Sequence, residues 1–323
     1  MSMQSSDFDL FQQQIQELYQ AGDYQQALAT VIERSDDFPD YQHLLNYWRI
    51  TLAARNGDTA QALTVLEQVL STDFWYEELL LRKNPALKEL QGDDDFEALV
   101  AVNQALYEKD RLGLYPLLIL RPEGSCKSGG APCPLLIGLH DNASVAADSL
   151  PFWGLAGSAG WLVVAPQSTQ AMWKNAYRWD DRSETERQIL EQYATIETGY
   201  AVDHQRLVIA GHGAGGDAAI WLALGGKLPL RGFIAFGPDG PFLEELSQAA
   251  DLIVSNPNPD LRGVIIIGEE DENAPMTKIR ILVKGLEKLG IDCMVEIVPE
   301  AGRDFTPEYN EVLLSALAYL EDT

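Results

Sequence analysis

The chain is poor in cysteine, histidine and positive charge. Among 323 residues there are three cysteines and four histidines. Cys126, Cys133 and Cys293 are too few for a disulfide scaffold, and no Cys-x-x-Cys occurs. Two cysteines around one turn make a poor metal site, so no metal and no cofactor is expected. Lysine and arginine number 23 against 49 acids, a net charge of −26. That balance disfavours nucleic acid and anionic membrane surfaces as partners. No apolar stretch approaches the length of a membrane span. The start, Met-Ser-Met-Gln-Ser-Ser-Asp, lacks the basic region and apolar run of a secretory leader. A soluble cytoplasmic protein is the expectation.

What is present divides into two parts. Residues 7–109 read as almost pure helix, with Phe8, Phe11, Ile15, Leu18 and Tyr19 at helical spacing. Gly22-Asp23 with Ala27-Leu28 recurs 35 residues later as Gly57-Asp58 with Ala62-Leu63. Gly92-Asp93 lies a further 35 along, where Ala98-Leu99 slips by one position. From about residue 111, short apolar runs alternate with helical stretches. The expected strands are Tyr115–Leu120, Pro134–Leu139, Trp161–Ala165, Leu207–Ala210, Phe233–Phe236, Val264–Ile267 and Ile291–Val298. Alternation of this kind means an α/β fold: a mostly parallel sheet with helices on both faces. The expected domains are an all-α helical-repeat domain over 1–110 and an α/β domain over 111–323.

The second part is organised around Leu207–Ala210, Gly211-His212-Gly213-Ala214-Gly215-Gly216 and the apolar helix from Asp217 to Leu224. Gly211, Gly213 and Gly216 match Gly-x-Gly-x-x-Gly, which is weak evidence for a dinucleotide. A dinucleotide loop follows the first strand of its unit, whereas several strands precede this one. The same residues also match Gly-x-Ser-x-Gly, the nucleophile elbow of a serine hydrolase, with glycine in the serine position.

Both parts resemble known families. The 35-residue repeat resembles the tetratricopeptide family of helix–turn–helix units, without its usual tryptophan. Such repeats imply a concave surface for a protein partner, or a small helical cap. Residues 115–320 resemble an alpha/beta hydrolase of the phospholipase/carboxylesterase type. Leu139-His140, Tyr177-Arg178-Trp179-Asp180-Asp181, the elbow loop, Gly268-Glu269-Glu270-Asp271 and Val298-Pro299-Glu300-Ala301-Gly302-Arg303-Asp304-Phe305 carry that likeness.

The resemblance assigns the nucleophile position to Gly213, the acid to Asp271 and the base to Arg303. Glycine has nothing to acylate, and arginine cannot accept the nucleophile's proton. His140, Asp141 and the backbone of Ala214 fall in the oxyanion region, where a carboxylate opposes developing negative charge. Arg303 is expected to pair with Asp271, or else to anchor an anionic ligand. Trp153, Ser168, Trp173, Tyr177, Trp179 and Phe242 are candidates to line a vestigial cleft for a small molecule, or to be core. These readings imply a non-catalytic binding or scaffolding protein. The alternative is an esterase or other hydrolase of carboxylic or thioester substrates, with a displaced catalytic set such as Ser168 and a histidine.

Overall fold

The structure is a computed structural model that describes residues 3–111, 117–122, 126–246, 252, 258, 260–271, 274–303 and 308–321. Contacts divide the chain into two units, Met1–Gly113 with Met172–Lys174, and Leu114–Ala171 with Asn175–Thr323.

The first unit is helical: α1 (Met3–Ala21), α2 (Tyr24–Arg34), α3 (Gln42–Arg55), α4 (Thr59–Leu70), α5 (Glu78–Lys83) and α6 (Asp94–Arg111). The repeated Gly-Asp pair explains the turns. Gly22, Gly57 and Gly92 have φ of 77°, 80° and 84°, the left-handed geometry that ends a helix. The next residue then starts another, because Asp23 and Asp58 accept the backbone N–H of Gln26 (3.2 Å) and Gln61 (2.9 Å). Asp93 does the same for Phe96 at 3.1 Å, so the turn persists where the Ala-Leu register slips. In the third repeat a 3₁₀ turn, Pro85–Leu90, stands where an α-helix precedes the other two turns.

Trp75 and Tyr76 are fully buried in this unit, and Phe74 is half-buried. Asn103 brackets Tyr76, accepting from its N–H and donating to its carbonyl, both at 2.8 Å. Met172–Lys174 packs here too: Glu77 N–H donates to the Met172 carbonyl at 2.8 Å, and Trp173 sits 5.2 Å from the His43 ring. Trp173 therefore belongs to the helical unit and not to the α/β part where a cleft was sought.

The second unit holds a seven-stranded sheet in the order β1-β3-β2-β6-β7-β8-β9. Its strands are β1 (Leu117–Leu120), β2 (Cys133–Leu139), β3 (Leu162–Pro166), β6 (Val202–His212), β7 (Gly232–Phe236), β8 (Arg262–Gly268) and β9 (Asp292–Val298). All neighbours pair parallel except β1, which runs antiparallel to β3 at the edge. Tyr115 and Pro116 of the expected first strand lie outside the described residues. A short hairpin not foreseen from sequence, β4 (Gln170–Trp173) and β5 (Ala176–Arg178), lies apart from this sheet.

Alternate strand residues face opposite layers, as the two-residue period requires. Leu135, Ile137, Leu207, Ile209 and Ile265 pack under α8 (Arg182–Gly199), α9 (Ala214–Gly225) and α11 (Met276–Lys288). Leu136, Val208, Ile234 and Ile266 pack under α7 (Ala146–Ser158) and α12 (Glu308–Glu321). Each fully buried aliphatic side chain contributes roughly 1.5–3 kcal/mol. A short helix, α10 (Pro241–Glu244), follows β7.

Cys126 and Cys133, too few to suggest a scaffold, form a disulfide across the turn between them. Cys293 is a buried thiol on β9, and burial pushes its pKa up to about 12. Among the described residues no helix is long and apolar enough to cross a membrane.

Candidate functional site

In an open parallel sheet the loops at the carboxyl ends of the strands form the working edge. Here that edge carries His140 and Asp141 after β2, Gly213 after β6, Asp239 after β7, Asp271 after β8 and Arg303 after β9.

Gly213 joins β6 to α9 with φ 52° and ψ −120°, a backbone state that disfavours any side chain. Its N–H donates to the Phe236 carbonyl at 2.9 Å, which locks the turn. Gly215, the second residue of α9, is pressed against the end of β2: a Cβ there would fall 2.3 Å from the His140 carbonyl oxygen. The glycine-rich loop thus lets the helix start against the loop that holds His140 and Asp141.

The space beside Gly213 is filled. A Cβ on residue 213 would lie 1.8 Å from Asp141 Oδ1 and 2.3 Å from its Cγ. Asp141 Oδ1 accepts the backbone N–H of Ala214 at 2.9 Å and that of Asn142 at 2.6 Å. A carboxylate at the first N–H of a helix also gains from the helix dipole. Asp141 Oδ2 lies 3.5 Å from His212 Nδ1 and 3.7 Å from Arg303 Nη2. His212 Nε2 donates to the Arg303 carbonyl at 2.7 Å, so this histidine ties both sides of the site together.

Arg303 corrects one expectation. Its ion pairs run to Asp239 (Nη1–Oδ2, 2.8 Å) and Asp141, not to Asp271. Burial works against its charge, while Asp141 and Asp239, and more weakly Asp271, hold its pKa above the usual value. The longer reach of arginine takes the guanidinium past the acid position to carboxylates on the β2 and β7 loops. Asp271 is buried, with Oδ2 3.2 Å from the space a Cβ on Gly237 would take. Among the described residues Arg303 is one cation beside three carboxylates, Asp141, Asp239 and Asp271, an acidic setting that argues against the anion-anchor role.

Asp239 was missed by sequence reasoning. Its signal was position alone, in Gly237-Pro238-Asp239-Gly240 directly after a buried strand.

His140 fixes the loop through its hydrogen bonds. It is fully buried, and desolvation lowers its pKa to about 4, so the ring is neutral near pH 7. Its Nδ1–H donates to the Asp141 carbonyl at 2.7 Å, while Nε2 accepts from the Ser168 backbone N–H and from Gln167 Nε2, both at 3.2 Å. Ser168 therefore meets a histidine only through its backbone. Its hydroxyl donates to the Arg178 carbonyl at 2.5 Å and accepts from Gln170 N–H at 3.1 Å.

The remaining cleft candidates do not share one lining. Trp153 packs with Phe152 and Phe236 on one face of the sheet. Trp179 and Phe242 are core on the opposite face, and Trp179 Nε1 donates to the His140 carbonyl at 3.0 Å. Tyr177 is buried, its backbone bridged to Ser144. Among the described residues no cluster of three or more histidine, cysteine, aspartate or glutamate side chains is arranged to hold a metal.

Residues 8–111 match a family described as the N-terminal domain of A/B hydrolase-like proteins. An uncharacterized protein from Bacillus cereus ATCC 10987 superposes with a TM-score of 0.53 at 20% identity, covering 98% of this chain and 99% of that one. Esterase PE8 superposes with a TM-score of 0.51 at 18% identity, covering 64% of this chain and 99% of its own. The chain shares the fold of these two structures, and the helical part that precedes its mostly parallel sheet is the part matched by the A/B hydrolase-like N-terminal family. No curated protein matches the chain in sequence.

Proposed function

We propose that this alpha/beta-hydrolase-like chain is a non-catalytic binding or scaffolding protein, in which Gly213, Asp271 and Arg303 occupy the positions of a lost triad. One observation carries the reading: the Asp141 carboxylate fills the space of a nucleophile's side chain and takes the Ala214 N–H. Acyl transfer needs a nucleophile, a base and a vacant donor site for the oxyanion. The nucleophile is absent, and a negative charge is already seated on the donor. Arg303 stays protonated and cannot serve as the base.

In this reading the tetratricopeptide-like helices supply the recognition surface for a protein partner. Any small-molecule ligand of the vestigial cleft must tolerate three nearby carboxylates. A cytoplasmic setting fits the reading less well than the rest, because disulfides such as Cys126–Cys133 persist chiefly in oxidising compartments.

A second reading is a hydrolase with a displaced catalytic set. Its support is the same carboxylate, held beside His212 and Arg303 where a nucleophile's side chain belongs, together with a fold shared with an esterase. The experiment is hydrolysis of p-nitrophenyl acetate and of an acyl thioester by the full chain, with labelling by a serine-directed fluorophosphonate. We expect neither turnover nor adduct. Turnover that Asp141→Asn abolishes would sink the non-catalytic reading and establish the second.

A further inference from the structure

The helical unit contains a cavity of about 500 Å³ lined by Arg49, Asn46 and His43 of α3, Gln68 of α4, and Val69 and Phe74, among others. That volume lies within the usual range for small-molecule sites, roughly 300–1,000 Å³. The lining carries one arginine and no acidic side chain, although the chain has 49 acids against 23 bases. Arg303, by contrast, is surrounded by carboxylates.

Arg49 has little to neutralise it. Among the described residues it makes no ion pair; Nη1 donates to Asn46 Oδ1 at 3.1 Å, and Nε is buried without an acceptor. A buried donor left without a partner is costly and uncommon in native proteins. Because Asn46 Oδ1 accepts from Arg49, its Nδ2 remains a donor on the same side of the helix. Gln42 brings no further free donor, since its Nε2 is committed to the Ser35 and Phe38 carbonyls. Burial holds His43 below its usual pKa, so its ring adds no positive charge near pH 7. His43 stacks on Phe74 with ring centroids 5.9 Å apart, giving the cavity a flat aromatic wall.

We propose that this cavity binds a small monocarboxylate with a planar apolar body. The carboxylate engages the Arg49 guanidinium and the Asn46 amide, and the body lies against Phe74, His43 and Val69. A guanidinium is matched to a carboxylate by its forked donors. A single cation with no second positive group favours one negative charge over a phosphate dianion, the more so within an acidic protein. The inference does not depend on whether the α/β unit is catalytic.

The test is titration of the full chain with benzoate, followed by calorimetry and by the arginine Nε–H signals in an NMR spectrum. Benzyl alcohol and inorganic phosphate serve as comparison probes. Benzoate should bind at millimolar concentration or tighter and shift one arginine Nε–H signal that is absent from Arg49→Gln. Benzyl alcohol and phosphate should bind at least about tenfold more weakly, as the loss of a charge-assisted contact implies. Arg49→Gln should weaken benzoate by a similar factor. Should that variant fold poorly, Asn46→Asp is the second test: it supplies an internal carboxylate to Arg49 and should abolish binding without lowering the melting temperature. Absence of benzoate binding at millimolar concentration overturns the proposal. So does benzoate affinity unchanged in Arg49→Gln and Asn46→Asp, or phosphate binding as tightly as benzoate.

Discussion

At the scale of single residues, Gly213 and Asp141 depend on each other. The conformation of Gly213 is one that a residue with a Cβ adopts at a cost of order 1–3 kcal/mol. The Asp141 carboxylate occupies the space such a Cβ needs. Gly213→Ser should therefore strain the backbone and expel the carboxylate from the Ala214 N–H and from Arg303. We expect a destabilisation of about 2–4 kcal/mol in urea unfolding, from the strain together with disruption of a partly buried ion pair. Asp141→Gly in the same chain should recover part of that loss, so the double-mutant cycle should show coupling of the order of 1 kcal/mol or more. Strict additivity would mean that the two positions do not compete for one space.

At the scale of elements, Asp217 ties the start of α9 to the start of α10. It is buried and accepts the backbone N–H groups of Phe242 (2.9 Å) and Leu243 (2.8 Å). Those bonds favour the carboxylate, but burial outweighs them and raises its pKa from 3.8 to about 6. Between these values the folded state keeps a proton that the unfolded state releases. Stability from this group is then complete below about pH 4 and falls as pH rises to about 6. The total is of the order of 2–3 kcal/mol. Asp217→Asn should remove this slope while sacrificing one of the two caps. The check is urea unfolding of both proteins from pH 4 to 7: their stability difference should shift in favour of the variant as pH rises. A constant difference would show that Asp217 is charged throughout. The same scale shows what motif spacing can and cannot say. The Gly-Asp pairs were legible as turns because a left-handed glycine and a capping aspartate are local devices. The hairpin of β4 and β5 was not, since Gln170–Trp173 and Ala176–Arg178 carry no long apolar period and are held by contacts remote in sequence.

At the scale of the whole molecule, the charge balance acts on stability rather than on fold. A net charge of −26 repels itself in any compact state. The Debye length shortens from about 30 Å to about 8 Å between 0.01 and 0.15 M salt, so screening should relieve that repulsion. The melting temperature should rise over this range of sodium chloride. A fall would mean that attractive pairs such as Arg187 with Glu184 and Glu191, or Arg206 with Asp203 and Glu321, outweigh the repulsion.

The sequence by itself determined the succession of helices and then alternating strands and helices. Apolar period and turn chemistry are local, and they survive without knowledge of partners. It also determined that Gly213 has no nucleophile and that Arg303 is no base, because those are properties of the side chains themselves. Tertiary structure alone decided which charges meet. Asp141 reaches Gly213 across β2 and β6, and Asp239 reaches Arg303 from a loop with no motif, because parallel pairing brings the ends of distant strands to one edge. It decided likewise that Trp153, Trp179 and Phe242 lie on opposite faces of the sheet, and that Arg49 lines a cavity without an acid beside it. Such contacts depend on register and on helix placement, which no single stretch of the chain specifies.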